Sequence, residues 1–332
     1  MSASAAAPLS AGLALLNGFQ RGFPLVPRPF EEVGRRCGLE EAAVLEAVRE
    51  HASRGTISRV GVVFAPGAVG ASTLAAMALP SAQLVSVARL VSAQPEVNHN
   101  YEREHRYNLW FVVTAAAAGA VDAALERIAR ASGHAVLSLP LLEEYHIDLG
   151  FDLADGGAPR AARRVPARGP LGERERRLLA ALEPGLALVP RPYAALGRQA
   201  GLAESEVIAT LEEWLARGVA RRVGVVLHHR RLGYTANAMA VWDVPDAQVA
   251  RLGARLAQRP EVTLCYRRAR ALPAWPYNLF CMIHGRERAA VQTQLARLAR
   301  EEGLERCAHD VLFSRRCFKQ RGARYAGETP DG

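Results

Sequence analysis

The chain has 332 residues, 50% hydrophobic and 23% charged, which suits about two domains of about 150 residues each and excludes a largely disordered chain. Lys and Arg number 42 against 33 Asp and Glu, a net charge of +9. That balance favours anionic partners: nucleic acid, a membrane surface, or a polycarboxylate or phosphate ligand.

In chain order, Leu13, Leu15, Leu16 and Phe19 mark a first apolar helix. Pro29 suits a first helical turn and opens a short helix to Arg36. Cys37-Gly38-Leu39 reads as a turn. Val44, Leu45 and Val48 then give helical spacing to a longer helix that Gly55 stops. Thr56 to Phe64 reads as a β wing, so this stretch has the winged-helix pattern. Beyond it the spacing predicts a strand near Ser72–Leu79, a helix near Gln83–Ser92, a strand pair over Val97–Val113, a helix near Ala118–Ala131 and a strand near Ala135–Leu139. That order, βαββαβ, is ferredoxin-like.

The pattern then starts again. Leu25-Val-Pro-Arg-Pro-Phe30 recurs as Leu188-Val-Pro-Arg-Pro-Tyr193, Gly38-Leu39 as Gly201-Leu202, and Arg59-Val-Gly-Val-Val63 as Arg222-Val-Gly-Val-Val226. Pro95-Glu96-Val97 matches Pro260-Glu261-Val262, and Tyr107-Asn108-Leu109 matches Tyr277-Asn278-Leu279. Ordered matches over both halves signal a duplication. In copy two the winged helix takes Leu178, Leu179 and Leu182, Tyr193 to Ala200, Glu204 to Ala216 and Ala220 to Leu227. The second part takes Thr235–Val241, Ala247–Gln258, Val262–Arg268, Tyr277–Ile283, Arg288–Glu301 and Arg306–Phe313.

The expected fold is therefore α+β, a tandem duplication in which each half is a winged helix-turn-helix followed by a ferredoxin-like domain. The expected boundaries are 9–64 and 65–154 for copy one, a Gly-, Pro-, Ala- and Arg-rich linker over 155–172, and 173–228 and 229–320 for copy two. The two sheets are expected to pack together as an intrachain pseudo-dimer, which could itself form a homodimer, with a ligand at their interface.

No apolar run approaches the ~18 residues of a spanning helix, and no basic segment precedes the Ala-rich start, as a secretory signal would require. The cysteines are Cys37, Cys265, Cys281, Cys307 and Cys317, an odd set without a Cys-x-x-Cys pair. A disulfide framework, an iron–sulfur centre and a Cys-rich zinc site are poorly supported. A reduced cytoplasmic protein is expected, without membrane partners.

A winged helix on a basic chain invites a DNA-binding reading. The recognition helices oppose it. Glu40, Glu41, Glu46 and Glu50 face a single base, Arg49, in copy one, and Glu204, Glu206, Glu212 and Glu213 face none in copy two. Phosphates repel such helices, so they are expected to be packing modules and no specific DNA partner is expected.

The unusual chemistry lies in the second strand pair. Alternation puts His99, Tyr101 and Arg103 on one sheet face, and the chain returns past His105 through Tyr107, Asn108 and Trp110. A solvated face would account for one histidine. The group together favours a polar pocket for an anionic ligand, because burying it unpartnered is costly. Copy two has Leu264 where copy one has His99, and a longer hairpin with Tyr266, Arg267, Arg268, Arg270, Trp275, Tyr277 and Asn278. The halves have diverged, one rich in histidine and one in arginine and aromatics. An enzyme with one working pocket and one supporting half has more reason to diverge so than a symmetric regulator.

The strings His99-Asn-Tyr-Glu-Arg-Glu-His105-Arg-Tyr-Asn-Leu-Trp-Phe111, Tyr266-Arg-Arg-Ala-Arg270, Trp275-Pro-Tyr-Asn-Leu-Phe280 and Leu312-Phe-Ser-Arg-Arg-Cys-Phe-Lys-Gln320 resemble the paired subunits of siroheme decarboxylase, fused in one chain. That family has the architecture of the Lrp/AsnC regulators. The fused arrangement resembles the haem d1 branch, in which siroheme becomes didecarboxysiroheme; the haem b branch uses similar proteins. The resemblance implies that His99, Tyr101, Arg103 and His105 line the working pocket. It implies substrate contacts from Tyr107, Asn108, Trp110, Tyr266, Arg267, Arg268, Arg270, Trp275, Tyr277, Asn278 and Lys319. Siroheme is the expected partner, alongside homologous decarboxylase subunits.

Two acetates of siroheme would lose carbon dioxide and become methyls. Direct loss leaves a carbanion beside an electron-rich pyrrole, whereas protonating a ring carbon first creates an electron sink. That step needs an acid active near neutral pH, which suits histidine, and cations that orient carboxylates, which suits arginine. Trp110, Phe111 and Trp275 would wall the macrocycle and exclude water. No nucleotide fingerprint or metal constellation is present, so no added cofactor and no resident metal are expected; the iron tetrapyrrole is the substrate. A histidine could instead ligate its iron, and the sequence does not divide these roles between His99 and His105. Two other readings stand beside this one: an Lrp/AsnC-type DNA-binding regulator and a haem-binding carrier without turnover. His146 and Asp148 read as a strand end, His228-His229 as a solvated loop. The basic tail Arg315, Arg316, Lys319, Arg321 and Arg324 reads equally as a solvated end or a carboxylate clamp.

Overall fold

The computed structural model describes residue 12, residues 17–147 and residues 171–325. Copy one runs α1 (Pro29–Cys37), α2 (Glu41–Ser53), β1 (Ile57–Phe64), β2 (Ala71–Met77), α3 (Leu84–Ala93), β3 (Val97–Arg103), β4 (Leu109–Ala115), α4 (Ala118–Ser132) and β5 (Leu137–Ile147). Copy two runs α5 (Glu173–Leu182), α6 (Pro192–Ala200), α7 (Glu204–Ala216), β6 (Ala220–Leu227), β7 (Ala236–Trp242), α8 (Asp246–Leu256), β8 (Leu264–Arg268), β9 (Leu279–Gly285), α9 (Arg288–Glu302) and β10 (His309–Gln320). Two compact units divide the chain, one with residues 1–68 and 149–232 and the other with residues 69–148 and 233–332. Each unit thus collects the same part of both copies. Leu13, Leu15 and Leu16 of the first expected helix, and most of the expected linker, lie outside the described residues.

In the first unit, α1 and α6 both end on a glycine in the left-handed region, Gly38 at φ 69° and Gly201 at φ 67°. Any side chain there would be strained, which is why the helix–turn–helix repeats Gly-Leu at the turn. The expected wings are single strands. β1 pairs antiparallel with β6, Gly61 opposite Gly224, so each copy supplies the strand that satisfies the other's backbone. Further bonds cross between copies: Arg49 donates to the Leu188 carbonyl at 2.7 Å and the Tyr193 hydroxyl to the Pro24 carbonyl at 2.8 Å.

The second unit differs from two stacked sheets. Its eight strands form a closed barrel in the order β10-β3-β4-β2-β5-β8-β9-β7. The last strand of each half runs well past its expected end. β5 pairs with β2 over Leu137–Pro140 and then with β8 over Leu141–Ile147. β10 pairs with β7 over His309–Phe313 and then with β3 over Ser314–Gln320. Leu141 and Ile147 continue the apolar interior face, while the polar pairs Glu143-Glu144 and Arg315-Arg316 hide the continuation in the sequence.

Alternation sorts the side chains. Leu74, Ala76, Trp110, Leu139, Met239, Val241, Tyr266, Phe280, Met282 and Leu312 form one cluster inside the barrel. The opposite faces form two separate cores, one with α3 and α4 and one with α8 and α9. Phe111, expected beside the ligand, lies in the α3–α4 core, because neighbours on a strand face opposite ways.

Asn108 and Asn278, expected as substrate contacts, each bond a backbone amide and carbonyl. The Asn108 side chain accepts from the Leu79 amide at 3.0 Å and donates to the Leu79 carbonyl at 2.8 Å. Asn278 does the same with Val244, at 3.0 and 2.9 Å. Each amide acts as one more peptide unit that closes its hairpin onto β2 or β7. Asn108→Ala or Asn278→Ala leaves a backbone N–H and C=O unpaired in a sheltered place, so each should lower stability by about 1–3 kcal/mol. The check is a fall in the urea unfolding midpoint for each variant.

Candidate active site

β3 sends His99, Tyr101 and Arg103 into the barrel, where His99 stands opposite Val112 and Tyr101 opposite Trp110. The His99 and Tyr101 rings stack with centroids 6.2 Å apart, and the Arg103 guanidinium lies 6.0 Å from the Tyr101 centroid. The Tyr101 hydroxyl donates to Gln320 Oε1 at 3.1 Å. Buried Arg103 donates to the Leu312 carbonyl at 3.0 Å.

Copy two places Leu264, Tyr266 and Arg268 at the matching positions of β8, opposite Met282, Phe280 and Leu141. Arg268 donates to the Leu139 carbonyl at 2.7 Å, and its guanidinium lies 4.7 Å from the Tyr266 ring centroid and 5.9 Å from that of Phe280. No carboxylate stands within ion-pair distance of it among the described residues, and its Nε has no hydrogen-bond partner. Burial holds its pKa below the usual guanidinium range. An arginine kept charged there lacks the anion that ordinarily offsets its desolvation.

The hairpin after β3 brings a second group together. Trp275, fully buried, is packed by His105 at 5.5 Å, Tyr107 at 5.8 Å, Trp110 at 5.0 Å and Tyr277 at 5.0 Å between centroids. The Trp110 indole donates to the Tyr107 carbonyl at 2.6 Å, and the Trp275 indole N–H is buried without a partner. Burial chiefly, with Asp310 and Asp243, raises the Tyr277 phenol above its usual range. His105 Nδ1 accepts from the Tyr107 amide at 2.9 Å, and Nε2 lies 3.1 Å from Asp310 Oδ2. Burial pushes the imidazole below its ordinary pKa, and Asp310 opposes it.

The expected single cluster is therefore two. His99 and Arg103 are separated by roughly 13 Å of extended strand, with Tyr101 between them, and His105 lies beyond Arg103 with the indoles. Asp310 and Gln320 are the members the sequence reading missed. Both lie on β10, whose reach to β3 was not foreseen; the alternation of Asp310 with Leu312 is the signal that could have placed the former inside.

Several expected contacts point elsewhere. Arg267 is opposite Leu279 on the helix-facing side and pairs with Asp246 at 2.8 Å. Arg270 binds Asp243 at 2.7 Å and Asp246 at 2.9 Å. Both are held by carboxylates of their own copy, and Arg267 lies on the helix-facing side. Lys319 stands opposite Asn100, also on the helix side, and donates to the Ser92 and Gln94 carbonyls at the end of α3. Burial, with Arg321 and Arg324, lowers its ammonium pKa to about 8. The basic tail is neither loose nor a free clamp: Arg316 pairs with Glu102 at 2.9 Å and Arg315 with Glu104 at 3.3 Å. His146 is half-buried on β5, and His228 precedes a short turn at His229–Leu232. Asp148 lies outside the described residues. Among those residues no cluster of three or more His, Cys, Asp or Glu could hold a metal.

A family model described as the siroheme decarboxylase NirDL-like HTH domain matches residues 13–57 and 175–221, and one described as the AsnC-like ligand binding domain matches 68–146 and 231–319. The siroheme decarboxylase NirDL subunit of Paracoccus denitrificans (strain Pd 1222) is 45% identical over 314 residues, 95% of this chain and 97% of that protein. The siroheme decarboxylase NirL subunit of Stutzerimonas stutzeri is 53% identical over 145 residues, 44% of this chain and 85% of that subunit. The crystal structure of the siroheme decarboxylase NirDL in co-complex with an iron-uroporphyrin III analogue matches with a TM-score of 0.69 at 26% identity, over 95% of this chain and 94% of that one.

Trp275 is the shared contact of the hairpin group. Trp275→Ala should cost about 3–5 kcal/mol, the range for deleting a large buried aromatic, and Trp275→Phe clearly less. Chemical unfolding followed by circular dichroism measures both.

Proposed function

The chain belongs to the siroheme decarboxylase NirDL family and is a carboxy-lyase acting on siroheme; from that premise we propose that the barrel interior receives the tetrapyrrole and that its own side chains carry the proton transfers. One observation carries this reading: Arg268 is a half-buried cation with no carboxylate within ion-pair distance among the described residues, set among aromatic side chains. A substrate carboxylate supplies the missing anion in a forked, charge-assisted contact. Arg103, at the matching position of copy one, offers a second such contact. Trp110, Trp275, Tyr266 and Phe280 form the apolar wall.

The reaction proposed is loss of two acetate carboxyls, giving didecarboxysiroheme, without an added cofactor. A histidine protonates a ring carbon, carbon dioxide leaves the acetate carboxylate, the resulting exocyclic methylene takes up a proton to become methyl, and the ring carbon returns its proton to the base, so one proton is consumed for each carbon dioxide lost. His99 and Tyr101 at one end of β3, and His105 with Tyr107 and Tyr277 at the other, are the groups available. Copy two has Leu264 in place of His99 and serves as the binding half. The intrachain pseudo-dimer is the working unit. The existence of a separate NirL subunit in Stutzerimonas stutzeri supports homologous subunits as partners.

The regulator reading is disfavoured by where the acidic side chains go. Glu41 pairs with Arg28, Glu204 with Arg191, Glu50 with Arg54 and Glu213 with Arg217. The helices that would enter a DNA groove keep their carboxylates, and their nearby arginines are committed to them. Specific DNA binding is therefore not proposed. Among the described residues no helix is long and apolar enough to cross a membrane. A cytoplasmic location is proposed from the cysteine usage of the sequence alone.

Anaerobic incubation with siroheme, followed by mass spectrometry of the tetrapyrrole, should show successive loss of two carbon dioxide units. Intact siroheme after incubation with ligand-bound protein, with and without homologous subunits, would overturn the reading in favour of a carrier. Arg268→Ala should weaken siroheme binding about ten- to hundred-fold, the scale of one hydrogen-bonded charge contact, whereas Arg267→Ala should change it little. His99→Ala or His105→Ala should lower single-turnover rates about 100-fold if that residue is the acid.

A further inference from the structure

The His105 imidazole is held at both nitrogens. Nδ1 accepts from the Tyr107 amide at 2.9 Å, so the neutral ring carries its proton on Nε2. Nε2 faces Asp310 Oδ2 at 3.1 Å. The other carboxylate oxygen, Oδ1, accepts from the Val311 amide at 2.7 Å, which fixes the carboxylate in turn. Asp310 sits on β10 opposite Val241, whose side chain belongs to the interior cluster, so it occupies an interior position on a strand that otherwise supplies Leu312 there.

The duplication supplies a control within the chain. By strand register, Val241 corresponds to Ala76, and the residue opposite Ala76 is Leu137. Copy one therefore has an apolar leucine where copy two has Asp310. The hairpins agree: the Glu104 amide donates to the Phe313 carbonyl and the Ala269 amide to the Pro140 carbonyl, which makes Arg270 the counterpart of His105. Arg270 turns away to Asp243 and Asp246. The histidine of copy one and the carboxylate of copy two meet at one hairpin, and the equivalent positions at the other hold Arg270 and Leu137.

We propose that Asp310 is a positioning residue for the decarboxylation: its carboxylate holds the Nε2–H side of the His105 ring, whose tautomer the Tyr107 amide sets, in one orientation, edge-on to Trp275, at the hairpin end of the barrel. The inference rests on the decarboxylase reading and deepens it. An orienting carboxylate of this kind acts through the imidazole it holds rather than on the substrate. The other charged and titratable groups around the ring are Arg106, which disfavours its protonation, and Tyr107 and Tyr277, with Asp243 beside Tyr277. Asp310 is the group that favours the imidazolium against burial.

The test compares wild type, Asp310→Asn and Asp310→Glu. In Asp310→Asn, kcat should fall about ten-fold or more with KM changed little, and the histidine-dependent limb of the pH profile should move to lower pH. Asp310→Glu should restore part of the rate. Long-range proton–nitrogen spectra of histidine-labelled protein without substrate, with the His105 signals assigned from His105→Gln, should show the Nε2–H form in both proteins and a His105 titration that lies at lower pH in Asp310→Asn than in wild type. An unchanged pH profile and rate, or an unchanged His105 titration, would overturn the proposal. Siroheme left intact by wild type would instead overturn the decarboxylase reading, and the His105 titration would still decide the fate of the Asp310 contact.

Discussion

β5 and β10 each hydrogen-bond to strands of both copies, and the barrel exists because of them. A four-stranded ferredoxin-like sheet covers one face with its helices and leaves the other bare. Here the bare faces meet inside a closed sheet, and Trp110, Tyr266 and Phe280 become one buried cluster. The same two strands hold the arginines. Arg103 of copy one rests on the Leu312 carbonyl of β10, and Arg268 of copy two on the Leu139 carbonyl of β5. Each cation is thus aimed by the terminal strand of the other half. Neither half alone could present its arginine in this way.

The duplication then departs from symmetry at a few interior positions. His99 answers to Leu264, Gln320 to Ile147, Asp310 to Leu137 and His105 to Arg270. The polar member lies on β3, its hairpin, or the part of β10 that borders them. Titratable groups therefore collect on one side of the interior, while the opposite side keeps a cation and apolar walls. A proton donor and a carboxylate anchor work best at different points of an asymmetric substrate, and an exact repeat would supply two of each.

Much of this was legible in the sequence. Gly38 and Gly201 mark turns that only glycine suits, and the repeated tripeptide Tyr-Asn-Leu marks equivalent hairpins. Alternation placed His99, Tyr101 and Arg103 on one face, where they are. The closure was not legible, because Glu143-Glu144 and Arg315-Arg316 interrupt the apolar period at the point where each strand passes to its second partner. Asn108 and Asn278 repeat because each side chain bonds a backbone amide and carbonyl, a need shared by both halves. Charge in a sequence does not reveal whether an internal partner already engages it: Asp246 and Asp243 pair with Arg267 and Arg270, and carbonyls at the end of α3 accept from Lys319.

Closure also determines how this protein can meet another. An open sheet offers its border strand as a template on which a second chain can lay down its own backbone. The barrel has no border, since every strand in it has two neighbours. The β1–β6 ribbon would have two, but the Leu186 amide donates to the Val60 carbonyl on one side, and the Phe23 and Val225 amides bond with the Val223 and Phe19 carbonyls on the other. Strand addition is thereby closed off along the barrel and obstructed along the ribbon. Among the described residues, the helix faces and hairpin side chains are what a partner could recognise, and these differ between the two copies. Recognition of that kind can tell one half from the other, a distinction that a shared backbone edge could not make.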